Sequence, residues 1–284
     1  MPSQNAAFVT GVSSGFGRLI AEELRSRGWA VYGSARDIQG RNAQAVQEIQ
    51  AAGIGVVELD VTDTTSVNAA AEKVLSAAGA VDLLVNNAGA GYFGVAEAFT
   101  PEDMARQFDS NVLGPLRVNR AFLPTMRSRH SGLIVYVTST LGRSVVPFGG
   151  LYAASKWALE ALAEASSYEL RPFHVDVAII EAGTYPTDLF SKFTGPSDTE
   201  RSAEYSDVLK YVGTLDTAFA REAEGRDVGE IARAVADIAD MPAGRRPLRI
   251  PVPESPVIEE TNQLLAAYQE QLFTKYGLES LLRE

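Results

Sequence analysis

The chain has 284 residues, of which 46% are hydrophobic and 21% are charged, and its formal net charge is −11. This length fits one large α/β domain, and neither an internal repeat nor a linker rich in proline, serine or glycine divides it. The acidic balance argues against a nucleic-acid partner, so an anionic cofactor would need a local basic group. With no cysteine and two isolated histidines, we expect neither disulfides nor a metal site.

The first predicted strand begins at Ala6, which leaves no room for a signal peptide. No apolar run approaches the length of a membrane span. We therefore expect a cytoplasmic protein that has no membrane partner.

Short apolar runs alternate with longer helical segments, a pattern typical of a parallel sheet with helices on both faces. The predicted strands are residues 6–10, 30–35, 55–59, 81–86, 133–138, 175–180 and a short seventh at 246–250. The predicted helices between them are residues 16–27, 43–52, 64–78, 152–170 and most of 101–129, with a break near Gly114-Pro115. The fold class is therefore a doubly wound α/β sheet of about seven strands.

An insertion and a terminal helix follow the sixth strand. Residues 184–226 are predicted to be irregular or loosely helical and to form a lid over a substrate. The aromatic residues of this insertion are Phe190, Phe193, Tyr205, Tyr211 and Phe219. The alternative is a helical excursion that packs on the outside. Residues 254–284 form an amphipathic helical extension, expected to pack on the body or on a second subunit, and residues 1–284 are one domain.

A glycine turn follows the first strand, in the order Thr10-Gly11-Val12-Ser13-Ser14-Gly15-Phe16-Gly17. Small residues let the backbone approach a pyrophosphate and point the N–H groups of the helix terminus at it. Such a turn is weak evidence of nucleotide binding when it stands alone.

Ser139, Tyr152 and Lys156 form the pattern Ser-(12)-Tyr-Ala-Ala-Ser-Lys. Because Tyr152 and Lys156 lie four residues apart on one helix face, we expect the ammonium to reach the phenol and lower its pKa from about 10. Ser139 would then hydrogen-bond the oxygen of a carbonyl or alcohol. The alternative is an ordinary helical tyrosine with a solvated lysine. The glycine turn in the other half of the chain favours a hydride-transfer site.

These motifs, together with Asn86-Asn87-Ala88-Gly89 between them, make the chain resemble the short-chain dehydrogenase/reductase family over nearly residues 5–190. Within the single-domain branch it is most similar to bacterial proteins that resemble 17β-hydroxysteroid dehydrogenases. The resemblance implies a Rossmann-type fold with NAD(P) across the switch point of the sheet. It implies that the cofactor is held by Gly11, Ser13, Ser14, Gly15, Phe16, Gly17, Arg36, Asp60, Val61, Asn87, Ala88, Gly89, Tyr152, Lys156, Gly183 and Thr187.

The same resemblance implies a catalytic tetrad of Asn111, Ser139, Tyr152 and Lys156, with Asn111 holding a water that relays protons. It also implies that Asn86 and Gly89 support the adenosine side of the cleft. The chain departs from the family in having Ala182-Gly183 where Pro-Gly is usual, which loosens a turn near the nicotinamide.

Cofactor preference is predicted from the end of the second strand. NAD-preferring relatives carry an acidic residue there, whereas this chain has Ala35 followed by Arg36. A guanidinium matches a 2′-phosphate, so NADP(H) is expected over NAD(H), although Asp37 is adjacent. Asp60 has an alternative role as the cap of the next helix, where Asp63 is also available.

The predicted function is an NADP(H)-dependent oxidoreductase that interconverts a secondary alcohol and a carbonyl on a mainly apolar small molecule. Tyr92, Phe93, Phe148 and the lid aromatics indicate that kind of substrate. A homodimer or homotetramer is expected. The alternative is an NADP-binding sensor or scaffold without turnover, which the intact tetrad disfavours. A nucleotide-sugar epimerase would need a different glycine spacing and a larger C-terminal domain.

Overall fold

A parallel sheet of seven strands organises the chain in the computed structural model, which describes residues 4–187 and 192–282. The strands are β1 (Ala6–Thr10), β2 (Ala30–Ala35), β3 (Gly55–Glu58), β4 (Leu83–Asn86), β5 (Gly132–Val137), β6 (Val175–Ala182) and β7 (Arg249–Val252). Their order across the sheet is β3-β2-β1-β4-β5-β6-β7 and every pairing is parallel. The order reverses between β1 and β4, and ligands of such sheets bind at this switch point.

Eleven α-helices lie in the described part of the chain. They are α1 (Gly15–Ser26), α2 (Ala43–Ala51), α3 (Thr64–Ala78), α4 (Pro101–Phe108), α5 (Gly114–Arg129), α6 (Gly150–Glu169), α7 (Thr199–Ala203), α8 (Ser206–Leu209), α9 (Val212–Ala223), α10 (Gly229–Asp240) and α11 (Pro256–Tyr276). The predicted break between α4 and α5 is a π-helical turn at Asp109–Leu113.

The helices cover both faces of the sheet, which is why its central strands are apolar without alternation. All five residues of β1 and all four of β4 are buried. On one face, Ile20 of α1 and Val235 of α10 belong to the core. On the other face, Val118 of α5 and Leu159 of α6 belong to a second core. The predicted doubly wound class is confirmed.

Several predicted boundaries move by a few residues. The last strand begins at Arg249 rather than at residue 246, and β6 continues past residue 180 to Ala182. Helix α6 begins at Gly150, two residues before Tyr152. Helix α10 was not predicted, although Ile231, Val235 and Ile238 recur on its buried face at helical spacing.

The segment after β6 packs on the rim of the sheet's carboxyl edge. Leu209, Val212 and Leu215 contact the buried cluster that includes Val95 and Phe148. Phe190, one of the predicted lid aromatics, lies outside the described residues.

The terminal helix α11 packs on the body of the same chain through Ile258 and Phe273, and the Phe273 ring lies 4.6 Å from that of Tyr168. Among the described helices, none combines the length and the apolar composition that crossing a bilayer requires.

Candidate active site

The glycine turn that joins β1 to α1 brings the backbone close to β4. Gly11 adopts a φ of 76°, which favours glycine, and its N–H donates to the carbonyl of Ser34 at 3.0 Å. A Cβ on Gly17 would lie 2.2 Å from the carbonyl oxygen of Gly11 and 2.4 Å from Nδ2 of Asn87. Glycine is therefore required at residue 17 by the close approach of the two chain segments.

Two polar residues hold this turn against the end of β4. The Thr10 hydroxyl accepts from the N–H groups of Asn87 and Ala88, each at 3.0 Å, and donates to the carbonyl of Val85. The Asn87 side chain donates to the carbonyl of Thr10 at 2.9 Å. Ser14 precedes α1 without capping it through its side chain, so the first N–H groups of that helix remain available to an anion.

The side chain of Asn86, which we expected to support the adenosine side of the cleft, is turned toward α5. This side chain is buried and donates to Oδ1 of Asn119 at 2.9 Å, and Asn119 donates to the hydroxyl of Tyr136. The reason is the alternation of side chains along a strand, which turns the last residue of β4 toward α5. Gly89 lies beside Asn111, because a Cβ there would stand 3.0 Å from Oδ1 of Asn111.

A depression of about 280 Å³ lies at the carboxyl ends of β2 and β3, and Arg36, Arg41 and Asp60 are among its lining residues. Arg36 is exposed, and its Nη1 stands 3.9 Å from Oδ2 of Asp60. Asp37 accepts from the N–H of Arg41 at 3.0 Å, so this carboxylate is bound within its own loop. Asp63 caps α3 through the N–H of Thr65.

Asp60 is therefore free of the capping role that was its alternative. Its Oδ1 accepts from the N–H and the hydroxyl of Thr62, at 2.9 and 2.7 Å. Burial acts to raise the pKa of Asp60, but the hydrogen bonds from Thr62 and the charges of Arg36 and Arg41 outweigh it, and the pKa lies below its usual range. The next residue, Val61, accepts at its carbonyl from Arg117 at 3.1 Å.

Ser139, Tyr152 and Lys156 meet at the carboxyl end of β5, and all three are buried. The Ser139 hydroxyl accepts from the N–H of Leu141 at 3.1 Å and lies close enough to the Tyr152 phenol to act on its pKa. Lys156 Nζ lies 5.6 Å from the centre of the Tyr152 ring and donates to the carbonyl of Val137 at 3.1 Å. The pattern thus forms a contiguous cluster of an ammonium, a phenol and a hydroxyl.

The expectation of a lowered phenol pKa is wrong for this structure. Burial raises the pKa of Tyr152 to about 12, and the nearby Ser139 hydroxyl offsets only part of that rise. Burial also lowers the pKa of Lys156 to about 8, against the charge of Glu160, which raises it. Desolvation disfavours both charged forms, and it outweighs the attraction that sequence spacing alone suggested.

Asn111 lies in the π-helical turn and anchors the loop after β4. Its Nδ2 donates to the carbonyl of Ala90 at 2.9 Å and to Oγ of Ser155 at 3.0 Å, while its Oδ1 accepts from the N–H of Ala90. Gln107 donates to the same two oxygen atoms. Ser155 in turn donates to the carbonyl of Tyr152 at 2.7 Å. The side chain of Asn111 therefore joins the 88–90 loop to the helix that carries Tyr152 and Lys156.

Aromatic rings form one wall beside the phenol. The ring of Phe93 stacks on that of Phe193 at 5.6 Å and lies 6.2 Å from Phe148 and 6.5 Å from Phe219. The Phe193 ring lies 5.9 Å from that of Tyr152. These rings supply an apolar surface next to the cluster. Among the other expected aromatics, Tyr205 packs against the cluster that includes Phe148, Tyr92 packs on Phe99, and Tyr211 is exposed.

The segment that carries Phe193 is fixed by several hydrogen bonds. Thr194 donates its N–H to the carbonyl of Gly91 at 2.9 Å, and the Thr194 carbonyl accepts from the N–H of Phe93 at 3.0 Å. Asp103, fully buried, accepts from the N–H and the hydroxyl of Ser197 at 3.1 and 2.6 Å. Residues 192–198 are thus attached to the rim of the site at both points.

The exit of β6 lies beside the glycine turn. Gly183 donates its N–H to the carbonyl of Val252 at 2.8 Å, and Thr187 donates its N–H to that of Tyr185 at 2.8 Å. The buried ring of Tyr185 meets Phe16 edge-on at 5.6 Å, and its hydroxyl donates to Glu230 at 2.7 Å. Tyr185, which connects the carboxyl end of β6 to α1, was not predicted from the sequence.

Three further residues near the site were not predicted. Lys192 donates to Oγ of Ser14 at 3.2 Å, which places an ammonium at the glycine turn. Glu160 is buried one helical turn beyond Lys156, a spacing that the sequence displays. Arg143 ends the turn that follows Ser139 and has no such sequence signal. No group of histidine, cysteine, aspartate or glutamate suited to a metal ion occurs within residues 4–187 and 192–282.

This geometry fits a dinucleotide cofactor, on the grounds that Gly17 leaves no space for a side chain and the start of α1 faces the switch point of the sheet. The family model described as short chain dehydrogenase matches residues 5–196.

Two curated relatives are similar to the chain. A 3-ketodihydrosphingosine reductase of Bacteroides thetaiotaomicron is 33% identical over 70% of this chain and 71% of its own length. Mouse 17-beta-hydroxysteroid dehydrogenase type 1 is 40% identical over 66% of this chain. The match spans 56% of the mouse protein, so the chain covers little more than half of that relative.

Two solved structures share the architecture. An alcohol dehydrogenase of Thermococcus sibiricus, complexed with 5-hydroxy-NADP, has a TM-score of 0.70 at 29% identity and covers 87% of this chain and 95% of its own. A short chain dehydrogenase/reductase of Burkholderia phymatum, in complex with NAD, has a TM-score of 0.75 at 26% identity and covers 95% of each chain.

Proposed function

The chain belongs to the short-chain dehydrogenase family, and we propose that it is an NADP(H)-dependent reductase of a ketone or aldehyde carbonyl on a mainly apolar small molecule. The observation that carries this proposal is the joint burial of Ser139, Tyr152 and Lys156 at the carboxyl end of β5, with Lys156 Nζ 5.6 Å from the centre of the Tyr152 ring. The same residues catalyse the reverse oxidation of an alcohol. When bound, the cofactor supplies or accepts hydride at nicotinamide C4.

Each member of the cluster has a separate role. Ser139 donates a hydrogen bond to the carbonyl oxygen, and Tyr152 transfers its hydroxyl proton to that oxygen as the alcohol forms. Lys156 binds the ribose and supplies a positive charge beside the phenol as the phenol loses its proton. Asn111 holds the loop and the helix together and serves the proton relay to Lys156.

The raised pKa of Tyr152 shows which form of the phenol this site holds. A phenol with a pKa of about 12 keeps its proton at neutral pH and is ready to donate it. Carbonyl reduction produces the phenolate and alcohol oxidation starts from it, so burial disfavours this form in both directions alike.

The preference for NADP(H) rests on the depression at the ends of β2 and β3. Arg36 is exposed at its rim and Arg41 lies beside it, whereas the carboxylate of Asp37 is bound in its own loop. Guanidinium groups match a 2′-phosphate in both charge and geometry. The similarity to one NADP-type complex and one NAD complex supports a nicotinamide cofactor without favouring either form.

Turnover of the Tyr152→Phe variant tests the proposed chemistry. We expect carbonyl reduction to fall by at least about 10³-fold, because the hydroxyl that transfers its proton to the carbonyl oxygen is removed while the ring is kept. Binding of NADPH, followed by fluorescence titration, should change by less than about threefold. Retained turnover would rule out this role for Tyr152. Micromolar NADPH binding without turnover by the wild type on a broad carbonyl panel would favour a sensor or scaffold.

The cofactor preference is tested by comparing kcat/KM for NADPH and NADH. Arg36→Ala should lower the NADPH value about 10- to 100-fold, the loss of one charge-assisted interaction, and leave the NADH value within about threefold. Arg233, which pairs with Asp227 at the surface, provides the control. Arg233→Ala should affect neither cofactor. A wild-type preference for NADH would refute the assignment.

The substrate class rests on the rings of Phe93, Phe193 and Phe219 beside the phenol. The names of the relatives given above, a sphingoid-base reductase and a steroid dehydrogenase, also point to apolar compounds. A panel of ketones of increasing apolar area should show kcat/KM rising with that area.

We extend the proposal to a homodimer or homotetramer formed through α5 and α6. Leu116 of α5 and Trp157 and Leu162 of α6 are each more than 40% exposed, and exposed large apolar side chains are typical of surfaces that bind another protein. Light scattering measures the mass of the protein in solution, and a monomer at micromolar concentration would refute the proposed homo-oligomer.

A further inference from the structure

A buried group of charges lies directly behind the catalytic cluster and has no part in the chemistry proposed so far. Glu160 and Glu181 are fully buried, and Arg143 and Arg249 are nearly so. The four residues come from α6, β6, the turn after β5 and β7, respectively. Buried charges of this kind are costly unless they are paired, so their placement calls for a role.

Glu160 is the member that touches the catalytic elements. Its Oε1 accepts from the Thr138 hydroxyl at 2.6 Å, and its Oε2 accepts from Arg249 Nε at 3.0 Å. Arg143 Nη2 stands 3.5 Å from Oε2. Thr138 directly precedes Ser139, and Glu160 follows Lys156 by one helical turn. One carboxylate therefore contacts the turn that carries Ser139 and shares a helix face with Lys156.

We propose that Glu160 is a positioning residue whose carboxylate keeps Lys156 in its ammonium form and fixes the Ser139 turn against α6. The effect of Glu160 on catalysis rests on the proposed function. Its effect on the charge of Lys156 does not depend on that function.

The charges that face Glu160 determine how large its effect is. Arg143 from the β5–α6 turn and Arg249 from β7 bring two positive charges, and Glu181 from β6 brings one negative charge. Glu164, one turn further along α6, pairs with Arg249. Without the charge of Glu160, Lys156 would remain buried and would lose the charge that opposes the effect of burial.

The pKa values agree with this arrangement. Burial lowers the pKa of Lys156 to about 8, and the charge of Glu160 is the influence that opposes this fall. Burial and the charge of Glu160 raise the pKa of Glu181. A hydrogen bond from Asn262 at 2.7 Å acts to lower it. Glu181 thus shares the buried group, but it has no such action on Lys156.

The first experiment reads the titration of Lys156 in the apoprotein by NMR of lysine labelled with ¹³C at Cε. The chain has five lysines, and Lys156→Met identifies the resonance. Glu160→Gln keeps an oxygen that accepts from Thr138 but removes the charge. We expect the midpoint of the Lys156 titration to fall by about one pH unit. This readout does not require turnover, so it stands even where no substrate is reduced.

Glu181→Gln is the matched control, because it removes the same charge from the same buried group. We expect it to leave the Lys156 midpoint within about 0.3 unit of the wild type. An unchanged midpoint in Glu160→Gln, or an equal fall in Glu181→Gln, would overturn the inference.

The second experiment follows kcat/KM for carbonyl reduction against pH. In Glu160→Gln the basic limb should move about one unit lower, giving roughly tenfold lower kcat/KM at pH 9 and a change of less than about threefold at pH 6. Glu160→Asp restores the charge and should return the limb to within about 0.3 unit of the wild type.

If Glu160→Gln fails to fold, as thermal unfolding will reveal, Glu160→Asp decides the question through its NMR titration. A midpoint within about 0.3 unit of the wild type supports the role of the charge, and a fall of about one unit overturns it. A wild type that reduces no carbonyl would refute the proposed function and leave the NMR result to judge this inference.

Discussion

The two ends of the cleft are held together by different forces. At the glycine turn, the neutral groups of Thr10 and Asn87 join β1 to β4 through hydrogen bonds. At the catalytic end, the charges of Glu160, Arg143 and Arg249 are buried behind Lys156. A neutral scaffold leaves the N–H groups of α1 available to an anionic cofactor, whereas a charged one controls which protons the catalytic residues carry.

This difference has a consequence for pH. Neutral hydrogen bonds between backbone and side chain have no protonation equilibrium near neutral pH, so they contribute the same stability across that range. The contribution of the buried Lys156 ammonium to stability changes with pH, because its pKa differs between the folded and the unfolded chain. The catalytic end is therefore the pH-sensitive half of the site.

Lys156→Met tests the charged end and has the largest expected effect. Turnover should fall by about 10²- to 10⁴-fold, because the positive charge beside the phenol is lost. The folded pKa of Lys156 is lowered to about 8 from 10.5, so burial of its proton costs stability below pH 8, and this cost is relieved as the pH rises toward 10.5. The variant should thus be more stable at pH 7 by about 1–3 kcal/mol.

Urea unfolding at pH 7, 8, 9 and 10 measures that difference, which should shrink steadily above pH 8. A difference that is constant over this range would remove the contrast between the two ends of the cleft.

Gly17→Ala tests the neutral end. A Cβ at this position would overlap the carbonyl of Gly11 and the amide of Asn87, so the turn must move away from β4. We expect a loss of about 1–3 kcal/mol in unfolding free energy and at least about tenfold weaker NADPH binding. Both are measurable by urea unfolding and fluorescence titration.

Gly213→Ala in α9 is the control, because nothing lies within 4 Å of the added methyl group there and alanine favours a helix. It should be neutral or slightly stabilising. Equal effects at both glycines would argue against a requirement for glycine at residue 17.

Thr10→Val tests the neutral glycine turn a second time, and it has the smallest expected effect of these variants. The substitution removes the hydroxyl that accepts from Asn87 and Ala88, and it should cost about 1–2 kcal/mol of unfolding free energy. The loss should be the same from pH 6 to pH 9, in contrast to Lys156→Met. Thr10→Ser keeps the hydroxyl and should recover most of the stability. A loss that varied with pH would show that charges also act at this end.

The fold was largely predictable because each element depends on a local pattern. Strands β1 and β2 and helix α3 have the predicted bounds, since an apolar run with a glycine or an aspartate at its border marks them clearly. Helix α10 was not predicted, although the spacing of Ile231, Val235 and Ile238 is also a local helical pattern.

The candidate site was predictable in its members but not in its electrostatics. Spacing along one helix placed Tyr152 beside Lys156, and the structure brings both to Ser139. Spacing gives no measure of burial, however, so the direction of the Tyr152 pKa shift was predicted wrongly. Asn86 was assigned to the cleft for a similar reason, since the face it occupies depends on the register of β4.

Local sequence patterns specify the strands of the sheet, the glycine turn that can bind an anion and the order of the catalytic residues, because each is encoded within a short stretch of chain. Only the tertiary structure decided which charges are removed from water together. Glu160, Glu181 and Arg249 come from three elements between residues 150 and 252, and the packing of α6 against β6 and β7 brings them behind Lys156. The strength of an electrostatic interaction depends on distance and on exclusion of solvent, and both are set by that packing.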